Sequence, residues 1–179
     1  MSKSEIIYNW LQKKYSRKIN LDRKRILKIL TKLNNIHLKL KNPVNFIGSD
    51  GKFTSAISLN YFLEANKKTT TIFTSPHLVD VRHRIWLKNR FITLNEIKKY
   101  EKIVNKTGLK LTLFEAITMI YLLAVNNQKQ IDYNLVESGL LFKGDCTRLW
   151  DIPKAQVITN INYQHQEWVV PSTIEEICK

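Results

Sequence analysis

A turn bracketed by two glycines, between a predicted strand and a predicted helix, is the strongest chemical signal in the sequence. Gly48 and Gly51 bracket this turn, and Lys52 and Thr54 follow where the helix begins. Backbone N–H groups at a helix start attract anions, and a nearby lysine adds a full positive charge. The segment therefore predicts a polyphosphate site in which Lys52 neutralises the β- and γ-phosphates and Thr54 reaches phosphate or metal.

The same segment departs from the general phosphate-binding loop, in which Gly-Lys-Ser/Thr follows a first glycine and four further residues. Its first glycine lies too close to Gly51, and the hydroxyl of Thr54 comes one residue late. An ordinary solvated turn has the same composition, because serine, aspartate and glycine are common turn residues. On local sequence alone, a phosphate site and a plain turn both stay open.

Ser75, Glu137 and His165 each stand at or just beyond the end of another predicted strand. In an open α/β sheet, ligands bind in the crevice beyond the carboxyl ends of the strands. A hydroxyl, a carboxylate and an imidazole there could hold a Mg²⁺ ion bound to ATP phosphates, although histidine is an unusual ligand for Mg²⁺. Each residue taken singly also has a structural interpretation: a turn former before proline, a strand-end acid and a polar surface group.

Short apolar strands alternate with amphipathic helices along the chain. The patterns predict helices over Ser4–Tyr15 and Leu21–Asn34, from Thr54, and after the capping boxes Thr93…Glu96, Thr112…Glu115 and Ser172…Glu175. They predict buried strands over Val44–Ile47, Thr70–Thr74, Tyr133–Glu137 and Gln156–Ile161, and a hairpin over Arg84–Ile92. Strands separated by helices of this length favour parallel βαβ units. The predicted fold class is α/β, with a mostly parallel sheet flanked by helices.

The composition limits the class of protein. A length of 179 residues suits one domain, and 44% hydrophobic residues exclude a disordered chain. The N-terminus resembles no secretory signal, and no apolar run is long enough for a membrane span. Cys146 and Cys178 lack metal-ligand or redox spacing, which favours reduced thiols. We therefore expect a cytoplasmic protein with no membrane partner.

The formal net charge of +14 raises nucleic acid as a possible partner. The lysines are spread along the whole chain, most densely over Lys13–Lys41, and they accompany many asparagines and isoleucines. They form no row interleaved with aromatic residues and no recognisable nucleic-acid-binding module. The charge alone therefore gives a weak argument, and nucleic acid stays an alternative that the sequence disfavours.

Several short segments resemble motifs of the folylpolyglutamate synthase/dihydrofolate synthase family, in the same order and at similar spacing. The loop Gly48–Thr54 is similar to Gly-Thr-Asn-Gly-Lys-Gly-Ser, and Thr74–Leu78 matches Thr-Ser-Pro-His-Leu. Weaker likenesses follow at Arg84-Ile85, Leu111–Glu115, Val136–Leu140 and Asp145–Thr147, and at Ile158–Ile161 leading to His165. Together they cover the chain from about Leu21 onward and identify a resemblance that no single segment carries.

This resemblance implies a P-loop-like nucleotide-binding domain of the Mur ligase type over residues 1–179. It implies ATP contacts from Gly48, Ser49, Asp50, Gly51, Lys52 and Thr54, and Mg²⁺ ligation by Ser75, Glu137 and His165. Lys52, Glu137 and His165 would be the catalytic residues, and Thr112, Leu113, Phe114 and Glu115 would contact the pterin side of the substrate.

The reaction implied is ATP-dependent ligation of L-glutamate to a folate or dihydropteroate through an acyl phosphate. The family places the glutamate site in a second, C-terminal domain, which we expect to be absent here, and we expect a monomer. Phe53 replaces a glycine of the family loop, Leu141–Gly144 replaces Gly-Gly-Arg-Leu, and Gln164 replaces an aspartate. These departures keep open the alternative of a nucleotide-binding module that does not catalyse.

Overall fold

The computed structural model describes residues 1–178, which form six α-helices around a six-stranded sheet. The helices are α1 (Lys3–Lys14), α2 (Arg23–Lys32), α3 (Lys52–Ala65), α4 (Leu94–Lys106), α5 (Leu113–Asn126) and α6 (Ile174–Cys178). The strands are β1 (Pro43–Ile47), β2 (Thr70–Phe73), β3 (Ile85–Leu87), β4 (Arg90–Phe91), β5 (Tyr133–Glu137) and β6 (Ala155–Ile158).

The strand order across the sheet is β4-β3-β2-β5-β1-β6. Strands β2, β5, β1 and β6 pair in parallel, whereas β3 and β4 form an antiparallel hairpin at one edge. The carboxyl ends of the four parallel strands consequently meet at one edge of the sheet. This arrangement confirms the predicted α/β class, with a mostly parallel sheet flanked by helices.

Alternation along the strands separates two apolar cores, one on each face of the sheet. On one face, Phe46 and Leu135 pack with Ala56 of α3. On the other, Phe73 and Val136 join the larger core, to which α1, α2, α4 and α5 contribute. Helix α5 is buried almost throughout, because it lies between the sheet and the surrounding helices. The two layers fix the strand ends, and the strand ends carry the candidate site.

Two local predictions agree closely with the structure. The capping boxes of Thr93 with Glu96 and of Thr112 with Glu115 both form and open α4 and α5. The predicted hairpin forms between β3 and β4.

Several predicted boundaries differ from the structure by one to three residues, and three of the differences have a physical reason. Helix α3 begins at Lys52 instead of Thr54, because Gly51 adopts a left-handed φ of 78° that turns the chain directly into the helix. The last helix is preceded by Thr173 rather than Ser172, since the Thr173 hydroxyl accepts the Glu176 N–H. Strand β6 ends at Ile158, not at Ile161, and it is an exposed edge strand rather than a buried one.

Cys146 is buried and Cys178 is exposed, and both are free. Within residues 1–178, no helix combines the length and the apolar character that crossing a bilayer requires.

Candidate functional site at the carboxyl edge of the sheet

The loop from Gly48 to Gly51 leads from β1 into α3 at the carboxyl edge of the sheet. The first intrahelical bond runs from the Ser55 N–H to the Gly51 carbonyl, at 2.9 Å. No side chain caps this helix. Among the described residues, the four N–H groups from residue 51 to residue 54 therefore have no hydrogen-bond partner. Such a row is a binding surface for an anion, because the helix dipole adds positive potential at the same place.

Lys52 lies in the first turn of α3, and its ammonium group folds back over the loop. The Nζ atom donates to the Gly48 carbonyl at 2.6 Å and to the Ser49 carbonyl at 3.1 Å. Both acceptors are neutral, so the positive charge of Lys52 is not cancelled by these contacts. The side chain therefore places a cation beside the unpartnered N–H row.

The first half of the loop uses its backbone donors differently. The Ser49 N–H donates to the Asn160 carbonyl at 2.9 Å, and the Asp50 N–H donates to Asn160 Oδ1 at 2.8 Å. Asn160 follows β6, so the segment beyond this edge strand lies against the loop. The predicted phosphate contacts thus divide into two groups: the donors of residues 49 and 50 are engaged within the protein, and those of residues 51–54 are not.

Gly48 is required by this close approach. Its φ is 134°, in a region that L side chains rarely adopt. A Cβ atom at this position would also collide with the Thr159 hydroxyl and would lie 2.6 Å from the Asn160 carbonyl. The glycine therefore serves the packing of the loop against the segment after β6.

Ser75 and Glu137 are brought together by the pairing of β2 with β5. Phe73 lies opposite Val136 in the parallel register, so the residues that follow the two strands are neighbours. The Ser75 N–H donates to Glu137 Oε2 at 3.0 Å. Burial raises the pKa of Glu137 above the usual glutamate value, and the Ser75 N–H, Lys52 and Arg84 oppose this rise. The site thus holds a buried carboxylate within the electrostatic reach of the loop lysine.

His165 lies on the same side of the molecule but is held differently. It lines a cavity of about 870 Å³ together with Gly48 and Ser49. Its side chain is 41% exposed, and its nearest carboxylate partner is Glu167 at 4.0 Å. No described contact joins His165 to Ser75 or Glu137. Within residues 1–178, no three His, Cys, Asp or Glu side chains form a cluster ready to hold a metal ion. The predicted three-residue magnesium site therefore stays a prediction.

A second cavity, of about 410 Å³, begins at Ser75 and extends toward α5. The four residues predicted to contact substrate line it: Thr112, Leu113, Phe114 and Glu115. Phe114 is partly exposed and stacks on Phe73 at a ring-centroid distance of 5.8 Å, so it offers an aromatic wall.

Glu115 is less available than the sequence suggests. The side chain is 2% exposed; Oε2 accepts the Thr112 N–H at 2.6 Å, and Oε1 accepts from Arg25 at 2.5 Å. These partners satisfy the carboxylate inside the protein, so its first role is to cap α5 and hold α2.

Sequence reasoning did not select three further residues that line or support this cavity. Arg84 lines it, is only 8% exposed, and donates from Nε to His77 Nδ1 at 2.7 Å. Burial, followed by the positive charge of Arg84, lowers the pKa of His77, so this ring accepts the bond in its neutral form. Tyr8 packs edge-on against His77, with ring centroids 4.4 Å apart. Arg84 and His77 lie in segments of the noted resemblance, but only the fold shows their contact with Tyr8.

The chain is similar in sequence to dihydrofolate synthase/folylpolyglutamate synthases from several organisms. No protein-family model matches the chain. The chain is 27% identical over 169 residues to the dihydrofolate synthase/folylpolyglutamate synthase of Escherichia coli K12, which covers 91% of this chain and 38% of that protein. It is 31% identical over 158 residues to the enzyme of the same name from Buchnera aphidicola, covering 81% and 36%. A probable bifunctional folylpolyglutamate synthase/dihydropteroate synthase of Haloferax volcanii is 30% identical over 143 residues, or 76% of this chain and 17% of that protein.

Solved structures show the same fold. E. coli FolC in complex with DHPP and ADP superposes with a TM-score of 0.84 at 24% identity, over 98% of this chain and 42% of that one. The Yersinia pestis folylpolyglutamate synthase/dihydrofolate synthase, complexed with AMPPNP and Mn, gives 0.83 at 23% identity, over 99% and 43%. The chain thus spans from about a fifth to two fifths of its relatives' length. In sequence and in fold, it is homologous to the folylpolyglutamate synthase/dihydrofolate synthase family over that part.

Proposed function

We propose that this chain binds Mg-ATP at the carboxyl edge of its sheet and forms the nucleotide-binding part of an ATP-dependent carboxylate–amine ligase. The observation that carries the proposal is the unpartnered N–H row of residues 51–54, with the charge of Lys52 beside it. Backbone donors and a lysine together match a polyphosphate. The solved relatives named above are bound to ADP and to AMPPNP, which supports the same assignment.

Magnesium fits the donor set at this edge. The Glu137 carboxylate and the Ser75 hydroxyl offer oxygen atoms, which Mg²⁺ prefers, and His165 would complete the set. A bound Mg²⁺ would supply charge neutralisation for the transferred phosphoryl group. Lys52 would hold the phosphate chain in place, and the buried Glu137 would keep a negative charge next to the metal. We therefore assign catalytic roles to Lys52, Glu137 and His165.

The cavity beside Ser75 is the proposed substrate site. Its aromatic wall at Phe114 and its buried cation at Arg84 suit a flat ring that carries a carboxylate. A folate or a dihydropteroate has this chemistry. The E. coli relative is named a dihydrofolate synthase/folylpolyglutamate synthase, and the solved structure of E. coli FolC is in complex with DHPP, which supports the assignment. The cavity shares Leu21, Gly139 and Leu140 with the larger cavity that Gly48 and Ser49 line. A substrate carboxylate bound there would therefore lie in a space that adjoins the phosphate-loop side of the molecule.

We further propose that residues 1–179 do not complete the ligation of L-glutamate by themselves. They span about two fifths of the E. coli relative, and we assign the glutamate site to a further domain. Holding two reactants in the reactive geometry can contribute roughly 7–11 kcal/mol to catalysis, and this contribution needs both sites. Slow ATP hydrolysis without ligation is the expected outcome in an assay of the chain with ATP, Mg²⁺, glutamate and a folate. Ligation at the rate of a full-length relative would contradict it.

A cytoplasmic location and a monomeric state belong to the same proposal. ATP is plentiful in the cytoplasm, and the two cysteines carry free thiols, which is typical of a reducing compartment. The elution volume of the purified chain relative to standards tests the monomer.

Calorimetric titration of the chain with Mg-ATP tests the proposed function. Lys52→Ala should weaken binding at least tenfold, because a charge-assisted contact to phosphate is lost. Lys98→Ala, on the exposed face of α4, is the matched control and should bind like the unmodified chain. Equal affinity of the Lys52 variant and the control would overturn the proposal. Binding without any ATP turnover, even in the presence of a folate, would favour a non-catalytic nucleotide-binding module.

A further inference from the structure

The segment Thr159–Asn162, which follows β6, binds the phosphate loop through several hydrogen bonds. The backbone of Asp50 is held at both its N–H and its carbonyl. Asn160 Oδ1 accepts the N–H at 2.8 Å, and the Thr159 hydroxyl donates to the carbonyl at 2.6 Å. The Asn162 N–H donates to the Ser49 hydroxyl at 2.9 Å. These bonds join residues more than 100 positions apart in the sequence.

The contacts with Asn160 engage some backbone N–H groups of the loop and leave the others without a partner among the described residues. Residues 49 and 50 donate their N–H groups to Asn160, whereas the N–H groups of residues 51–54 have no partner among the described residues. Because these bonds fix the backbone of Asp50, they also hold the next residue, Gly51, whose N–H group is the first of the unpartnered row of residues 51–54. Gly48 and Gly51 would otherwise leave this turn free to adopt many conformations.

We propose that Thr159 and Asn160 are positioning residues of the nucleotide site. They hold the Asp50 peptide so that the N–H row of residues 51–54 is arranged for a polyphosphate before the nucleotide arrives. Preorganisation of this kind increases affinity, because a loop that is already ordered loses less conformational entropy when the nucleotide binds. The inference rests on the proposed function, since it presupposes that the row binds phosphate.

The test compares Thr159→Val and Asn160→Ala with the unmodified 179-residue chain. Thr159→Val keeps the shape of the side chain and removes its hydroxyl, which donates to the Asp50 carbonyl and lies 3.3 Å from the Ile47 carbonyl. Keeping the shape guards against a general folding defect. Asn160→Ala removes the acceptor of the Asp50 N–H. Asn105→Ala, on the exposed side of α4, is the control. The measurements are Mg-ADP and Mg-ATP affinity by calorimetry, the unfolding midpoint, and hydrogen exchange of the Asp50 amide.

Each of the two variants should weaken nucleotide binding about three- to tenfold, as the loss of one hydrogen bond implies. The Asp50 amide should exchange faster in Asn160→Ala, and the unfolding midpoint of the nucleotide-free protein should change little. Affinity equal to that of the unmodified chain would overturn the inference, and tighter binding would overturn it too, because the contacts would then block the loop. Failure of the unmodified chain to bind nucleotide would instead refute the proposed function itself, and this inference with it.

Discussion

The candidate metal ligands lie on two sides of the carboxyl edge, and the two sides differ in how firmly they are held. Glu137 is 4% exposed and accepts the Ser75 N–H at 3.0 Å. The side chain of His165 is 41% exposed, and it makes an ion-pair contact with Glu167 at 4.0 Å. One side is part of the core, and the other belongs to an irregular segment at the surface.

The difference follows from strand position. Strands β2 and β5 are interior neighbours, so their parallel register fixes what stands at their ends. Strand β6 is the outermost strand, and the chain leaves it after Ile158. Residues directly at the end of an interior strand are therefore preorganised by the sheet, whereas a residue seven positions beyond an edge strand depends on the conformation of its own segment.

The largest effect is expected at Glu137. Glu137→Gln should lower Mg²⁺-dependent ATP affinity by about ten- to a hundredfold, because it removes the buried charge that we assign to the metal. Glu167→Gln, which changes an exposed carboxylate next to His165, is the matched control and should leave the Mg²⁺ dependence unchanged. Titration of each variant with Mg²⁺ at fixed ATP measures the difference. Equal losses in the two variants would remove the distinction between the two sides.

Acidification should act on the same residue. Burial raises the pKa of Glu137, and protonation would remove the charge that we propose for the metal. Mg-ATP affinity should therefore fall as the pH is lowered through this raised pKa, at a higher pH than for an ordinary glutamate. Glu137→Gln should flatten this part of the profile. A profile that is identical in the variant and the unmodified chain would assign the titration to another group.

A substitution at Ser75 distinguishes the role of its backbone N–H from the role of its hydroxyl. Ser75→Ala keeps the N–H that bonds Glu137 and removes the hydroxyl that we assign to the metal. We expect roughly a three- to tenfold loss of Mg²⁺ affinity, since one neutral ligand is replaced by water. The measurement is the same Mg²⁺ titration. No change would mean that Ser75 acts only through its backbone.

The smallest effect is expected at His165. Its side chain is exposed, and imidazole is a poor ligand for Mg²⁺, so His165→Ala should weaken Mg²⁺ binding only about threefold. Gln166→Ala is a neighbouring control on the same surface segment. If loss of His165 matched the loss at Glu137, the surface segment would be as well organised as the core.

The sequence predicted best what depends on local periodicity and on strand ends. The two capping boxes, the hairpin and the parallel sheet all agree with the structure. The strand-end rule also selected Ser75 and Glu137, and the structure joins them through the Ser75 backbone N–H. Each of these features is set by short-range pattern or by regular pairing, which the order of residues encodes directly.

The features it missed depend on contacts between distant segments. The engagement of Asp50 by Asn160 joins residues 110 positions apart, and the Arg25 pair that occupies Glu115 spans 90. Nothing in the local composition of the loop distinguishes donors that face a partner segment from donors that face solvent. The length of β6 was misjudged for the same reason, because Thr159 is polar and β-branched yet leaves the strand to bond the loop.

The most direct test of the central claim follows the backbone amides of residues 51–54 by nuclear magnetic resonance while Mg-ADP is added to the chain. If the phosphates bind at the start of α3, the largest chemical-shift changes should occur at these amides, with smaller changes at Ser75 and Glu137. The amides of Ser49 and Asp50 should stay protected from hydrogen exchange, because Asn160 holds them. Saturable shifts confined to another surface, with residues 51–54 unaffected, would contradict the account.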